Sequence, residues 1–256
     1  MSAKPDLSVI IVSWNVCALL RNCLLSVLEA VQGHQAEIFV VDNASRDGSA
    51  EMVAGEFPKV RLIANRENLG FGAANNQALK LCRGKYILLL NPDTFVPPDA
   101  IHKMIHFFKR RRKAGLVGPE QVDGKGRLLL NWVRWNPREM AEFVMENLLA
   151  LFTGRYRILF RRPRRVPILN AACWLARRKV LETTGFFDDD LFMYAEEPDM
   201  CSRIRKAGWE IWLLREVHIV HYKRQSIRQR GLLVELKFFF TSMYTWLRKR
   251  WQKEEI

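Results

Sequence analysis

Tyr86–Thr94 reads YILLLNPDT, and this stretch decides the fold. Tyr86 to Leu90 are apolar or aromatic without a break before Asn91-Pro92-Asp93-Thr94 interrupts them. An unbroken run of that length predicts a strand buried on both faces, in the middle of a parallel sheet covered by helices. Pro92 has no N–H to give to a sheet ladder, so the strand is expected to stop before it. Asp93 then falls just past the carboxyl end of a central strand, where open α/β sheets bind ligands. A carboxylate there can hold a divalent cation, and a cation can hold phosphates. Taken alone, Asn-Pro-Asp is equally well a plain turn.

Upstream, strand and helix patterns alternate. Leu7–Ser13 predicts a first buried strand ending in Trp14-Asn15, and the apolar positions from Leu19 to Val31 predict an amphipathic helix. Glu37–Val41 reads as a second strand running into Asp42-Asn43, Gly48–Phe57 as a short helix and Val60–Ala64 as a third strand. The turn Asn68-Leu69-Gly70-Phe71-Gly72 leads into a helix over Ala73–Cys82. This alternation predicts a doubly wound α/β sheet. Ser13 and Asn15, then Asp42 and Asn43, put polar side chains at consecutive strand ends, where they can bond a base and a ribose. Each alone suits a helix cap. The glycines at 70 and 72 let backbone approach a phosphate. Absence of a G-x-G-x-x-G after the first strand and of a P-loop argues against a dinucleotide enzyme and a P-loop NTPase.

Composition narrows the partners. Lys and Arg number 41 against 27 Asp and Glu, a net charge of +14 over 256 residues, which favours nucleic acid, an anionic membrane face or phosphorylated substrates. The five cysteines are scattered with no CxxC pair, so neither zinc nor a disulfide framework is expected, and a reducing cytosol fits. MSAKPD has no apolar core of a secretory leader, and no charge-free run approaches the ~18–20 residues that span a bilayer.

Downstream, Pro98–Lys113 reads as a helix ending in a basic run, Leu116–Val117 as a short strand and Val122–Leu130 as a hairpin. Asn136-Pro137 suits the start of a helix to about Phe152. The arginine-rich Arg155–Arg165 reads either as a solvated loop or as a membrane-surface segment. Ala171–Ala176 predicts a strand, and Arg177–Thr184 a short helix stopped by Gly185. Pro198 suits the first position of a further helix, which puts Glu197 at its N-cap, and Glu196, Glu197 and Asp199 cluster three acids there. Such clustered like charges need a cation or substrate to balance them, and an ionised Glu197 near a substrate hydroxyl is a candidate general base. Trp209–Leu214 predicts a strand, and His218 and His221 after it point to opposite faces, so at most one serves a given metal.

The ordered blocks VSWN, VVDNAS, ENLGFGAANN, LLLNPDT, GFFDDDLFMYAEEPDMCSRIRKAGW and HYKRQS resemble glycosyltransferase family 2, the inverting GT-A enzymes, and look closest to the rhamnosyltransferase-like branch. The resemblance spans about residues 7–226. It implies a nucleotide-diphospho-sugar donor, dTDP- or UDP-linked, with Asn15 and Asp42 on the nucleoside and Asn68, Gly70 and Asn75 lining the donor site beside Ser13, Asn43 and Asn91. It further implies that Asp93 binds Mg2+ or Mn2+ with His221 as second protein ligand, and that Glu197 deprotonates the acceptor hydroxyl. Three departures stand out: Glu rather than the commoner Asp at the base, Asn91 in place of the first metal-motif acid, and Ala171 where many relatives have glycine.

Residues 227–256 form a separate tail in this reading. Leu232, Leu236, Phe239, Phe240, Met243, Tyr244 and Leu247 lie at helical spacing among many cations, which predicts a basic amphipathic helix. It either packs on the GT-A domain of residues 1–226 or docks on an anionic membrane. The expectation is a cytoplasmic, peripherally bound transferase of cell-surface glycan synthesis acting on a lipid-linked or glycan acceptor, with no nucleic-acid partner. The alternative is a catalytically idle relative that binds nucleotide sugar or membrane.

Overall fold

The computed structural model describes residues 5–129, 162–222 and 232–254. β1 (Leu7–Ser13), α1 (Cys17–Ala30), β2 (Ala36–Asp42), α2 (Ser49–Glu56), β3 (Arg61–Ala64), α3 (Phe71–Leu79) and β4 (Tyr86–Leu90) alternate as the apolar periodicity requires. Then follow β5 (Thr94–Phe95), α4 (Ala100–Arg110), β6 (Ala114–Val122), β7 (Leu128–Leu129), β8 (Arg164–Arg165), β9 (Cys173–Arg177), α5 (Arg178–Thr184), α6 (Glu196–Lys206), β10 (Glu210–His221) and α7 (Leu232–Glu254). One ten-stranded sheet runs β3-β2-β1-β4-β9-β6-β10-β5, with β7 beside β6 and β8 beside β10.

β4 is buried along its whole length and feeds both core layers by the two-residue alternation of a strand. Tyr86, Leu88 and Leu90 join the layer of α1 and α4, while Ile87 and Leu89 join the layer of α3, α5 and α6. Full burial of each such side chain contributes about 1.5–3 kcal/mol, so a charge at either set of positions would empty a core.

The sheet is parallel from β3 through β4, and β6 and β10 also run parallel to each other. Between the two blocks β9 runs antiparallel to both neighbours. That single reversal brings the amino end of β9 to the edge where β1 and β4 end, as the register Leu90↔Cys173 shows.

Several boundaries differ from expectation. β6 spans Ala114–Val122 rather than two residues, because pairing with β10 carries it through Gly118 and Pro119 despite their poor strand propensity. The segments at 209–214 and 218–221 are one strand, β10, with a register break between Leu214 and His218. β9 starts at Cys173, two residues later than expected, and α3 starts at Phe71, two residues earlier. α4 is shorter at both ends than the expected Pro98–Lys113 helix. The expected helix after Asn136 and nearly all of the Arg155–Arg165 segment lie outside the described residues.

Candidate active site

The carboxyl ends of β1 and β4, the start of α3, the approach to β9 and the segment into α6 enclose a cleft of about 260 Å³. Its floor comes from strand ends. Ser13, Asn43, Asn91 and Asp93 line it, with Asn68 and Gly70 at the turn before α3. Asn43 organises that turn: its Nδ2 donates to Asn68 Oδ1 and Gly70 O, both 3.1 Å away, and its Oδ1 accepts from Asn65 Nδ2 at 3.0 Å. Gly70 has φ 83° and ψ 178°, a region open essentially to glycine alone. A Cβ there would lie 2.6 Å from Phe192 O, so the missing side chain lets the turn close against the segment before α6.

The chain after Asn91 does more than turn. Thr94 and Phe95 form β5, unforeseen from sequence, which pairs antiparallel with the end of β10 in the register His221↔Thr94. Tyr222 N–H also donates to Asp93 O at 2.9 Å. This pairing sets Asp93 Oδ1 3.2 Å from His221 Nε2, both side chains being largely buried. His221 Nδ1 faces Gln121 Oε1 at 3.0 Å, and an amide oxygen only accepts, so the proton sits on Nδ1. In the neutral ring Nε2 then presents a lone pair toward a carboxylate oxygen. Two such lone pairs in contact repel unless a proton or a metal cation lies between them, and 3.2 Å suits a hydrogen bond or adjacent ligands on bonds of about 2.0–2.2 Å. The pair therefore fits a divalent ion. Among the described residues no group of three or more His, Cys, Asp or Glu side chains could hold a metal, so such an ion would take further oxygens from ligand phosphates and water.

The opposite wall is Met193, Tyr194, Glu196 and Glu197, with Asn170 and Ala171 beside them. Tyr194 adopts φ 83°, strained for a side chain of that size. Ala195 is the N-cap of α6, so Glu197 is the second helical residue rather than the expected cap. Pro198 is tolerated one turn in, because none of the first N–H groups of a helix has an intrahelical partner to lose. Glu197 Oε1 accepts from Ala171 N–H at 2.7 Å and Asn170 Nδ2 at 3.2 Å, which fixes the carboxylate against the amino end of β9. Burial pushes the Glu196 carboxyl up to about 8, and the neighbouring Glu197 charge adds to the effect, so Glu196 carries a proton at neutral pH.

Of the residues singled out in the sequence, Ser13, Asn43, Asn68 and Gly70 line the cleft, as do Asn91, Asp93, Glu196 and Glu197. His221 joins through Asp93. The others do not line the cleft. Asn15 Oδ1 accepts from Arg46 N–H, Asp42 Oδ2 from Ser45 N–H, and Asn75 Nδ2 donates to Phe71 O within its own helix. Asp199 is turned to Arg203 in an ion pair of 2.6 Å along α6 and does not line the cleft. Sequence reading missed Gln121, Asn170 and Tyr194. Gln121 shares its strand with Glu120, and nothing in the local sequence singled it out.

α7 packs on the wall. Phe238 meets Phe192 with ring centroids 4.8 Å apart, Ser242 Oγ accepts from Met193 N–H at 3.4 Å, and Lys249 Nζ bridges Asp188 and Asp190 at 2.7 and 2.6 Å.

With this geometry in place, comparison with known proteins decides the family. The sequence model described as "Glycosyl transferase family 2" matches residues 8–185. The chain belongs to glycosyltransferase family 2. The N-acetylglucosaminyl-diphospho-decaprenol L-rhamnosyltransferase of Mycobacterium tuberculosis is 26% identical over 224 residues, covering 79% of this transferase and 71% of the relative. The poly-beta-1,6-N-acetyl-D-glucosamine synthase of Staphylococcus aureus is 24% identical over 266 residues, 96% of this chain and 61% of the relative. Relatives of the transferase thus act in cell-wall and polysaccharide synthesis. The mannosyltransferase of Pyrobaculum calidifontis, solved with GDP-Man and Mn2+, superimposes with a TM-score of 0.63 at 21% identity over 90% of this chain and 59% of its own. GalNAc-T7, solved with UDP, GalNAc and Mn2+, gives 0.64 at 16% identity over 86% and 44%. Both likenesses establish the GT-A fold.

Proposed function

We propose that the transferase is a metal-dependent, inverting enzyme that moves a sugar from a dTDP- or UDP-linked donor to a hydroxyl of a lipid-linked or polysaccharide acceptor. The observation that carries the reading is that Asp93, with His221 behind it, and Glu197 line one cleft. Rhamnose is the favoured sugar, since the mycobacterial relative is named for its transfer and aligns over most of both chains.

The floor binds the donor: the turn held by Asn43 and opened by Gly70 receives the nucleotide, and the amide-rich strand ends orient it. Asp93 and His221 would hold Mg2+ or Mn2+, which would supply positive charge to offset that of the departing diphosphate. Glu197 takes the proton of the acceptor hydroxyl as its oxygen bonds to the anomeric carbon. The bond from that carbon to the diphosphate breaks on the opposite face, so the configuration inverts. Glu196 holds its own proton and serves as a neutral neighbour, leaving the base role to Glu197.

The same proposal sets the enzyme on the cytoplasmic face of an anionic membrane. Phe240, Tyr244 and Leu247 are 65%, 66% and 46% exposed, with the exposed cations Lys237 and Arg248 beside them. At ~100° per residue these side chains lie across α7 from Phe238, Ser242 and Lys249. No helix among the described residues is long and apolar enough to cross a membrane, so this stripe would lie on the surface.

Glu197→Gln should lower transfer by about 10²–10⁴-fold while Mn2+-dependent binding of UDP or dTDP persists. Asp93→Asn should weaken that binding as well. Transfer by Glu197→Gln within about threefold of wild type would remove the base assignment.

A further inference from the structure

Between the two working ends of the cleft runs an unbroken line of hydrogen bonds. Glu197 Oε1 accepts from Asn170 Nδ2 at 3.2 Å. Asn170 Oδ1 accepts from Gln121 Nε2 at 3.2 Å, and Gln121 Oε1 meets His221 Nδ1 at 3.0 Å. His221 Nε2 then faces Asp93 Oδ1. The four groups before Asp93 come from α6, the approach to β9, β6 and β10, elements remote in sequence but adjacent at one sheet edge.

Every orientation in the line follows from its neighbours. A carboxylate only accepts, so Asn170 must turn Nδ2 to Glu197 and Oδ1 to Gln121. Ala172 N–H donates to the same Oδ1 at 3.2 Å and enforces that choice from the backbone. Gln121 must then offer Nε2 to Asn170, leaving Oε1 to accept from His221 Nδ1–H. In the neutral ring this leaves Nε2 unprotonated and aimed at Asp93. Gln121 is 1% exposed, so water cannot replace its oxygen at Nδ1 without opening the core.

We propose that Gln121 and Asn170 are positioning residues that tie the base carboxylate to the cation-holding imidazole and keep His221 in the tautomer that binds metal. The inference rests on the metal reading of Asp93 and His221 and adds to it the two amides that make His221 a ligand. Partners of this kind, one bond behind a metal ligand, change metal affinity by about 10–100-fold when removed.

The test is Mn2+ titrated into the full chain with UDP, followed by electron paramagnetic resonance, together with the ring-nitrogen NMR signals of His221 in metal-free protein near pH 8. In wild type the proton should reside on Nδ1. A proton on Nε2 would overturn the proposal without any variant. Gln121→Leu, which removes the acceptor, should weaken Mn2+ binding about 10–100-fold and mix the tautomers. Gln121→Glu, which keeps an acceptor for Nδ1–H but gives up the donor to Asn170, should keep the proton on Nδ1 as in wild type. Unchanged Mn2+ binding and an unchanged tautomer in Gln121→Leu would show that the side chain only fills space, and mixed tautomers in Gln121→Glu would show that its acceptor does not hold the Nδ1 proton. No Mn2+ binding by wild type would instead remove the metal reading, and this inference with it.

Discussion

The floor and the wall of the cleft are built differently. Ser13, Asn43, Asn68, Asn91 and Asp93 come from one continuous stretch of chain, each at the end of a parallel strand or in the turn before α3. Met193 to Glu197 come from a segment braced from outside: Tyr194 is strained, Glu197 leans on Asn170 and Ala171, and α7 supplies Phe238, Ser242 and Lys249 from behind. On the proposed reading the floor would take the nucleotide diphosphate and the wall the acceptor, so the donor would rest on a fixed frame and the acceptor on one made of separate parts.

Where floor and wall touch, at Gly70, the contrast can be broken outright. Gly70→Ala forces a Cβ against Phe192 O in a backbone region that costs a side chain about 1–3 kcal/mol. Thermal unfolding should shift down by several degrees, and nucleotide binding and transfer should fall together. A variant that lost transfer alone would show that the turn serves only the wall. A smaller effect is expected outside the cleft. Replacing Phe240, Tyr244 and Leu247 by serine should reduce partitioning onto anionic vesicles about tenfold, the equivalent of ~1.4 kcal/mol, while nucleotide binding at the floor stays unchanged. Partitioning that does not respond would end the membrane assignment.

The smallest effect sharpens the wall. Glu196 has its carboxyl raised to about 8 by burial and by Glu197, so its contribution to stability is present below the ordinary carboxyl range and lost as pH rises toward 8. Glu196→Gln, which is neutral throughout, should unfold roughly 2–4 °C higher than wild type near pH 8. The two curves should converge near pH 5. A pH-independent difference would mean that the carboxyl is not the group titrating.

The floor was legible because local pattern sufficed. YILLL is too apolar to sit anywhere but mid-sheet, and polar residues at successive strand ends had to share one edge. The wall was only half legible. Clustered acids at 196–199 pointed to a segment that lines the cleft, yet the helix began before Pro198 and Asp199 turned to Arg203, since a helical turn sends side chains only a few residues apart in different directions. β5 and the full length of β6 escaped because both exist through pairing with β10, a contact across roughly a hundred residues that no local propensity encodes. Gln121 and Asn170 escaped for the same reason.

α7 touches the wall at Phe238 and again at Lys249, eleven residues apart by their numbering and so about 16 Å along a helix axis. A rod bolted at one point swings; bolted at two, it transmits torque. Anything that seats the outer side of this helix would therefore bear on Asp188 and Phe192 together, and through Met193 on the rim of the cleft.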